Sequence, residues 1–310
     1  MLAELLIVTD QNKTDQLAAQ PRLDHLLRWL WDKAAGPVLD HLGIITRLDQ
    51  DDKPDEKTEG PRIWWCPAGL LSFLPLHAAG HHATRSDAIP QAAIDRVISS
   101  YTPTLGVLEQ SRRAPALADG QLLIVDPGTL GSENRRRESA WRKQEGVKLL
   151  TDAAATRSAV RSALKAGQYG RVHFECHATS ELSNPSGSHL GLYGTERLAL
   201  ADVTALRLGH AEFAFLAACS TYQGGTMLAD EAIHLGGAFQ LAGYRHVVAT
   251  LWPMKNTPTA DRIAAAVHQA IAGSEGVTAA AVALHRATRK QRDKAPDMPS
   301  LWAPYVHSGS

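Results

Sequence analysis

Residues Glu212–Gly225 read EFAFLAACSTYQGG. Phe213 to Ala218 form an unbroken apolar block, too short for an amphipathic helix, and the block reads as a strand buried on both faces of a parallel sheet. Cys219 closes it, and small and polar residues follow at once. The C-terminal end of such a strand is where open α/β sheets hold their ligand crevice. A buried structural cysteine is the competing reading, since free Cys is among the most buried residue types. A second strand upstream that also ends in a reactive group shifts the balance toward chemistry.

The bulk composition sets the frame. The chain has 310 residues, of which 44% are apolar, enough for a substantial core and for one large or two smaller domains. Lys+Arg and Asp+Glu are equal at 32 each, so charge gives no reason to expect nucleic acid or an anionic membrane as partner. No apolar run approaches the ~18 residues of a membrane span. Met1–Thr9 is apolar but lacks the basic start and cleavage site of a signal peptide. Three cysteines are an odd number and make no disulfide framework, so a reducing compartment, cytosolic or nuclear, is expected, with the cytoplasm the first choice.

Along the chain, Leu23–Leu42 carries a helical apolar stripe interrupted by Gly36-Pro37, and Asp49–Pro61 reads as an exposed loop. Ile63–Cys66 reads as a strand, with Cys66 in the core, and Leu70–Ala79 as a short helix. Arg96–Tyr101 is a strand followed by a helix capped by Thr104. A proline-containing segment, Arg112–Gly120, marks a soft boundary between a supporting subdomain, 1–118, and a catalytic one, 119–310. Gln121–Asp126 opens the second part as a strand, and Gly131–Gly146, with Arg135–Arg137, reads as a solvated loop. Thr156 caps a helix ended by Gly167. Arg171–His177 (RVHFECH) is a strand, as is the Cys219 block. Gly224-Gly225 precede a helix over Leu228–Leu241, His246–Trp252 is a further strand, and helices over Pro258–Ala272 and Val277–Arg292 lead to a tail containing Trp302. Strand alternating with helix predicts a parallel sheet covered on both faces.

His177 and Cys219 each end one of these strands, with a helix-containing connection between them. Neighbouring parallel strands joined in this way bring both residues to one edge of the sheet. A thiol with a pKa of about 8.5 is mostly protonated at neutral pH, and an imidazole beside it takes the proton or pairs with the thiolate. Attack on a carbonyl then needs oxyanion donors, for which the backbone N–H groups of Ala178 and Cys219 are candidates. His173, Cys176 and His177 also raise zinc, but strand alternation sets Cys176 on the opposite face and no second ligand pair exists. Glu175 either orients His177 or contacts a neighbouring arginine. The other histidines, His81, His82 and His189 among them, read as surface or satisfied core residues. Asp230 and Glu231 sit at the start of a helix, where they favour its dipole or reach the crevice to bind a basic substrate group.

HFECHATSELSNPSGSHLGLYG, LAACSTYQGGTMLADEAIHLGGAFQLAGYRHVVATLW and PSLWAPYVHSG resemble the CHAT domain family, caspase-like domains often attached to TPR repeats and distantly similar to separase. RIWWCPAGLLSFLPLHAAG and ISSYTPTL resemble its N-terminal half, so the likeness spans nearly the whole chain. It implies a caspase-like three-layer α/β/α sandwich with a central, mostly parallel sheet. It implies that Cys176-His177-Ala178 and Ala218-Cys219-Ser220-Thr221 hold the base and nucleophile of a cysteine endopeptidase, with no metal or organic cofactor. Asp230-Glu231 match the family's acidic motif after the cysteine. Ala217 stands where some caspase-fold enzymes carry an acid that selects basic P1 residues. The implied partners are a protein or peptide substrate and a regulatory protein or TPR-containing segment. A non-catalytic signalling or scaffold module of the same fold is the alternative.

Overall fold

The computed structural model describes residues 13–48, 60–82, 89–113, 120–128, 142, 145–181, 187–217, 219–223, 235–252, 257–273 and 276–310. Helix α1 (Lys13–Leu30) passes through a π turn, Trp31–Ala35, into α2 (Gly36–His41). The irregular turn falls just ahead of Pro37, whose ring and missing N–H disrupt a regular helix. Strand β1 (Arg62–Trp65), 3₁₀ turns at Gly69–Phe73 and Leu76–Ala78, helix α3 (Ala93–Arg96), β2 (Ile98–Tyr101) and α4 (Leu105–Arg113) follow. Next come β3 (Leu122–Asp126), β4 (Val147–Thr151), α5 (Arg157–Lys165), β5 (Arg171–Phe174), β6 (His177–Glu181), β7 (His189–Gly191), β8 (Arg197–Ala199) and α6 (Leu200–Thr204). The last elements are β9 (Phe213–Leu216), β10 (Cys219–Gln223), α7 (Leu235–Ala242), β11 (His246–Thr250), α8 (Pro258–Ile271), α9 (Ala280–Lys294) and β12 (Tyr305–Gly309). Threonine hydroxyls open three helices: Thr104, Thr156 and Thr257 each accept from the backbone N–H three residues on, at 3.2 Å. Among the described residues no helix is long and apolar enough to cross a membrane.

Eight strands form one sheet in the order β1-β2-β12-β11-β9-β5-β3-β4, and every adjacent pair is parallel except β11–β12. Alternate residues of the central strands pack on opposite layers. Leu123, Val125, Ala214 and Leu216 face α5, α6 and α7, through Val160, Leu164, Val203 and Phe239. Phe213, Phe215 and Val248 face α8 and α9, through Ile263, Val267 and Leu284. The result is a three-layer α/β/α sandwich with a central, mostly parallel sheet, the architecture the strand–helix alternation predicts. A separate four-stranded sheet, β10-β6-β7-β8, lies beyond it in the chain's path.

The structure departs from the sequence-based expectation at several places. The tail is not an appendage: β12 lies inside the main sheet between β2 and β11, and Trp302, just ahead of it, is fully buried. Gly309 in β12 has φ +130°, and a Cβ there would collide with the Arg245 carbonyl, so the close approach of the two strands requires glycine. Val147–Thr151 forms the edge strand β4, whose half-exposed, polar-mixed sequence carries little strand signal. Leu70–Ala79 makes two 3₁₀ turns around Pro75 rather than one helix. Cys66 is exposed, not core, because the strand ends at Trp65 and the chain turns toward Pro67. Residues 129–141 and 143–144, which include Arg135–Arg137, lie outside the described residues.

Two buried polar networks tie the N-terminal strands to the rest. Ser100 on β2 lies 2.9 Å from His307 Nδ1 on β12, and His307 Nε2 lies 3.1 Å from His246 Nδ1 on β11. Asp95, fully buried on α3, accepts two hydrogen bonds from Arg292 of α9, at 2.9 and 2.6 Å, with Arg289 and Arg47 at 3.3 and 3.6 Å. Removing one partner of such a buried pair leaves the other charge uncompensated. Asp95→Ala should therefore lower the unfolding free energy by about 3–5 kcal/mol, read by chemical denaturation.

Burial holds several histidines neutral. It lowers His77 and His82 to about 4 and His246 and His285 to about 3, with Arg292 adding to the effect on His82, Arg245 on His246 and Arg289 on His285. The unfolded chain titrates these groups near pH 6.5, so below that it binds more protons than the native state. Their contribution is complete above pH 6.5 and is lost as pH falls toward 4 and then 3. The melting temperature should be level above pH 6.5 and drop by at least on the order of 10 °C between pH 7 and 4.5 in calorimetry.

Candidate active site

The site is built by two neighbouring strands that leave the main sheet together. β5 and β9 are parallel, with Phe174 opposite Leu216 at their ends. Each chain then spends two residues, 175–176 and 217–218, before starting a strand of the second sheet. β6 begins at His177 and β10 at Cys219, and the two positions are Cα partners in a parallel register. The sequence offset is the same in both sheets: 216 − 174 = 42 and 219 − 177 = 42. Cα positions paired in this way are about 4.8 Å apart.

The two positions therefore begin strands of the small sheet rather than end strands of the large one. The expected strand RVHFECH is broken at Glu175 and Cys176, where the chain leaves one sheet for the other, although Phe174, Cys176 and Ala178 keep their alternation into one core layer. Cys176 is fully buried in the layer of Phe174, Ala214 and Phe239. Glu175 turns to the rim, where it pairs with Arg142 and lies 3.2 Å from His173 Nε2. Of the two partners weighed for Glu175 from sequence, the arginine is the one in contact. His173 stacks on Phe215 with centroids 4.9 Å apart, and its Nδ1 lies 2.8 Å from His268 Nε2. Burial, with His173 and Arg171 beside it, pushes His268 well below its usual range.

The rim is electrostatically uneven. Burial alone would raise the Glu175 carboxyl, but His173 and Arg142 outweigh it and hold it at about 2. Asp126, at the end of β3, moves the other way: burial raises it, opposed by the Gly128 N–H at 3.0 Å and reinforced by Glu175. Glu175 therefore carries the anion that Arg142 and His173 share. Its stabilisation is present above the ordinary carboxyl range and is lost as pH falls through about 2.

The second sheet has one covered and one open face. Ala178, Leu190 and Leu198 point into the core, at 1%, 0% and 0% exposure, while His177 is exposed. Ala178 pairs with Ser220 in the β6–β10 register, and its φ is not positive, so alanine fits the position without strain. His173 and Cys176 pack in opposite layers, and among the described residues no three His, Cys, Asp or Glu side chains converge as metal ligands. His81 pairs with Asp32 at 2.8 Å, His82 is buried against Trp302, and His189 bonds the Gly187 carbonyl at 2.8 Å. Asp230, Glu231 and Gly224-Gly225 lie outside the described residues. Arg142, His268 and the β7–β8 hairpin escaped the sequence reading: Arg142 and His268 approach the rim only through the fold, and the hairpin strands are three residues each.

A mostly parallel sheet between helical layers, with two of its strands leading into a small second sheet, is a caspase-like α/β fold. The CHAT domain model matches residues 24–310, and the chain belongs to the CHAT domain family. Two crystal structures of the Saccharomyces cerevisiae separase–securin complex are similar in fold, each with a TM-score of 0.55 and 12% sequence identity over 80% of this chain. The match spans 16% and 15% of the length of those chains. No curated protein sequence matches the chain.

Glu175→Gln keeps the shape of the side chain and removes its charge from between Arg142 and His173. The variant should lose about 1.5–3 kcal/mol of unfolding free energy at pH 7 in urea titration, the worth of hydrogen bonds to a charged group.

Proposed function

We propose that this protein is a caspase-like cysteine endopeptidase that cleaves a protein substrate with His177 as base and Cys219 as nucleophile. The observation that supports the reading most is the parallel β6–β10 register, in which positions 177 and 219 are direct partners. His177 takes the thiol proton, and the thiolate attacks the scissile carbonyl. The backbone N–H groups of Ala178 and Cys219, where the two strands begin, stabilise the oxyanion. The intermediate collapses as the imidazolium gives its proton to the leaving amine, and a thioester remains on Cys219. His177 then takes a proton from water, whose hydroxide releases the acid and regenerates the thiol. No step calls for a metal or organic cofactor.

By resemblance, Asp230 and Glu231 contact the substrate. Regulation by a partner protein, or by a TPR-containing segment, fits the same reading, since the fold is shared with chains crystallised as a separase–securin complex. A cytoplasmic setting suits a thiol nucleophile. A digest of a proteome-derived peptide library with wild type and Cys219→Ala tests the proposal. Cleavage should fall by at least on the order of a thousandfold in the variant. No cleavage by either protein, or a Cys219 that resists thiol-directed electrophiles, would leave the fold as a scaffold only, and equal cleavage by both would remove Cys219 from the reaction.

A further inference from the structure

The register that pairs 177 with 219 continues across the rest of the small sheet. Ala178 is opposite Leu190 and Thr179 opposite His189 in the antiparallel β6–β7 pair, so Gly191 is the next partner, opposite His177. A Cβ at Gly191 would stand 3.9 Å from the His177 Cβ and 3.4 Å from its carbonyl oxygen. Gly191 is in turn the partner of Arg197 on β8. One row therefore crosses four strands at Cys219, His177, Gly191 and Arg197. Its neighbouring row, Ala178, Leu190 and Leu198, is the buried underside, so His177 and Arg197 share the open face, and both are exposed.

Arg197 has no ion pair among the described residues, and the acids nearest it in the chain are committed elsewhere. Glu196 accepts from the Arg157 N–H, and Asp202 pairs with Arg157 and Arg161. The glycine between His177 and Arg197 leaves that stretch of the open face without a side chain. Three strand spacings of about 4.8 Å set the Cα of Arg197 roughly 14 Å from that of Cys219. An extended peptide advances about 3.3 Å per residue, so a guanidinium reaching inward meets a side chain about two to four residues from the scissile bond.

Resting on the peptidase reading above, we infer that this open face is the substrate platform, that Gly191 is the gap the substrate crosses, and that Arg197 selects an aspartate or glutamate of the substrate there. The planar guanidinium pairs with a carboxylate through two parallel hydrogen bonds, which gives charge selection with a defined geometry.

Quenched peptides that vary one position at a time among Asp, Ala and Lys, on either side of the scissile bond, test this with the full chain. Wild type should favour Asp over Lys by tenfold or more in kcat/KM at one position two to four residues from the cut. Arg197→Glu should reverse that preference, and Arg197→Lys should keep its sign. Gly191→Val should raise KM for peptides of either charge. A reversal cannot arise from misfolding, because a misfolded variant gains nothing. An unchanged preference in Arg197→Glu, or cleavage that needs Cys219 but ignores charge at every position, would overturn the role of Arg197 and leave the peptidase reading intact. Cleavage that survives Cys219→Ala would overturn the peptidase reading itself, and this inference with it.

Discussion

The site depends on register carried from one sheet into another. β5 and β9 are locked by the parallel ladder of the main sheet, and each chain takes two residues to reach the second sheet. Equal steps preserve the offset of 42, so position 177 arrives beside 219 instead of one or two residues out of line. A slip of one residue would turn the alternation over, burying His177 and exposing Ala178. Covered faces on both sides of the main sheet make such a slip expensive. Val172 and Phe174 are fully buried on one side and His173 on the other, so β5 has no register other than its own.

The two-residue corner is held as firmly as the strands that flank it. Cys176 is anchored in the apolar layer below, and Glu175 is pinned by charge at the rim. His268 on α8, His173 on β5, Glu175 and Arg142 form a continuous polar line from a helix through the sheet to its edge. In a low-dielectric setting such contacts are stiff, and breaking one leaves the next unsatisfied. The corner ahead of His177 is thus braced from three directions: an apolar layer, a helix and the segment before β4.

A second constraint joins the two halves of the chain. β12 enters the main sheet from the far end of the sequence, parallel to β2 and antiparallel to β11. It completes a sheet that the N-terminal strands β1 and β2 would otherwise end as an isolated pair, too small for independent stability. The buried contacts Ser100–His307–His246 and Asp95–Arg292 follow the same seam. They demand neutral histidines on one side and a paired carboxylate on the other, and both conditions hold at neutral pH.

Much of this was legible in the residues themselves. Apolar blocks such as Phe213–Leu216 and Leu122–Asp126 announce strands buried on both faces, because only a two-sided environment tolerates continuous apolar sequence. Threonine caps and Gly167 mark helix ends through local hydrogen bonds and a positive φ, which act within a few residues. The break in RVHFECH was hidden because nothing within the heptapeptide stops a strand. It appears as a change of partners, from β3 and β9 to β7 and β10, all distant in sequence. The tail looked like a tail because the pairing of Tyr305–Gly309 is with β2 and β11, both distant in sequence. Local chemistry, in short, decided which segments are strands and helices and where they stop. Which strand lies beside which, and so which residue faces His177, was decided by long-range ladders whose hydrogen bonds are the same for every sequence and are therefore written in none.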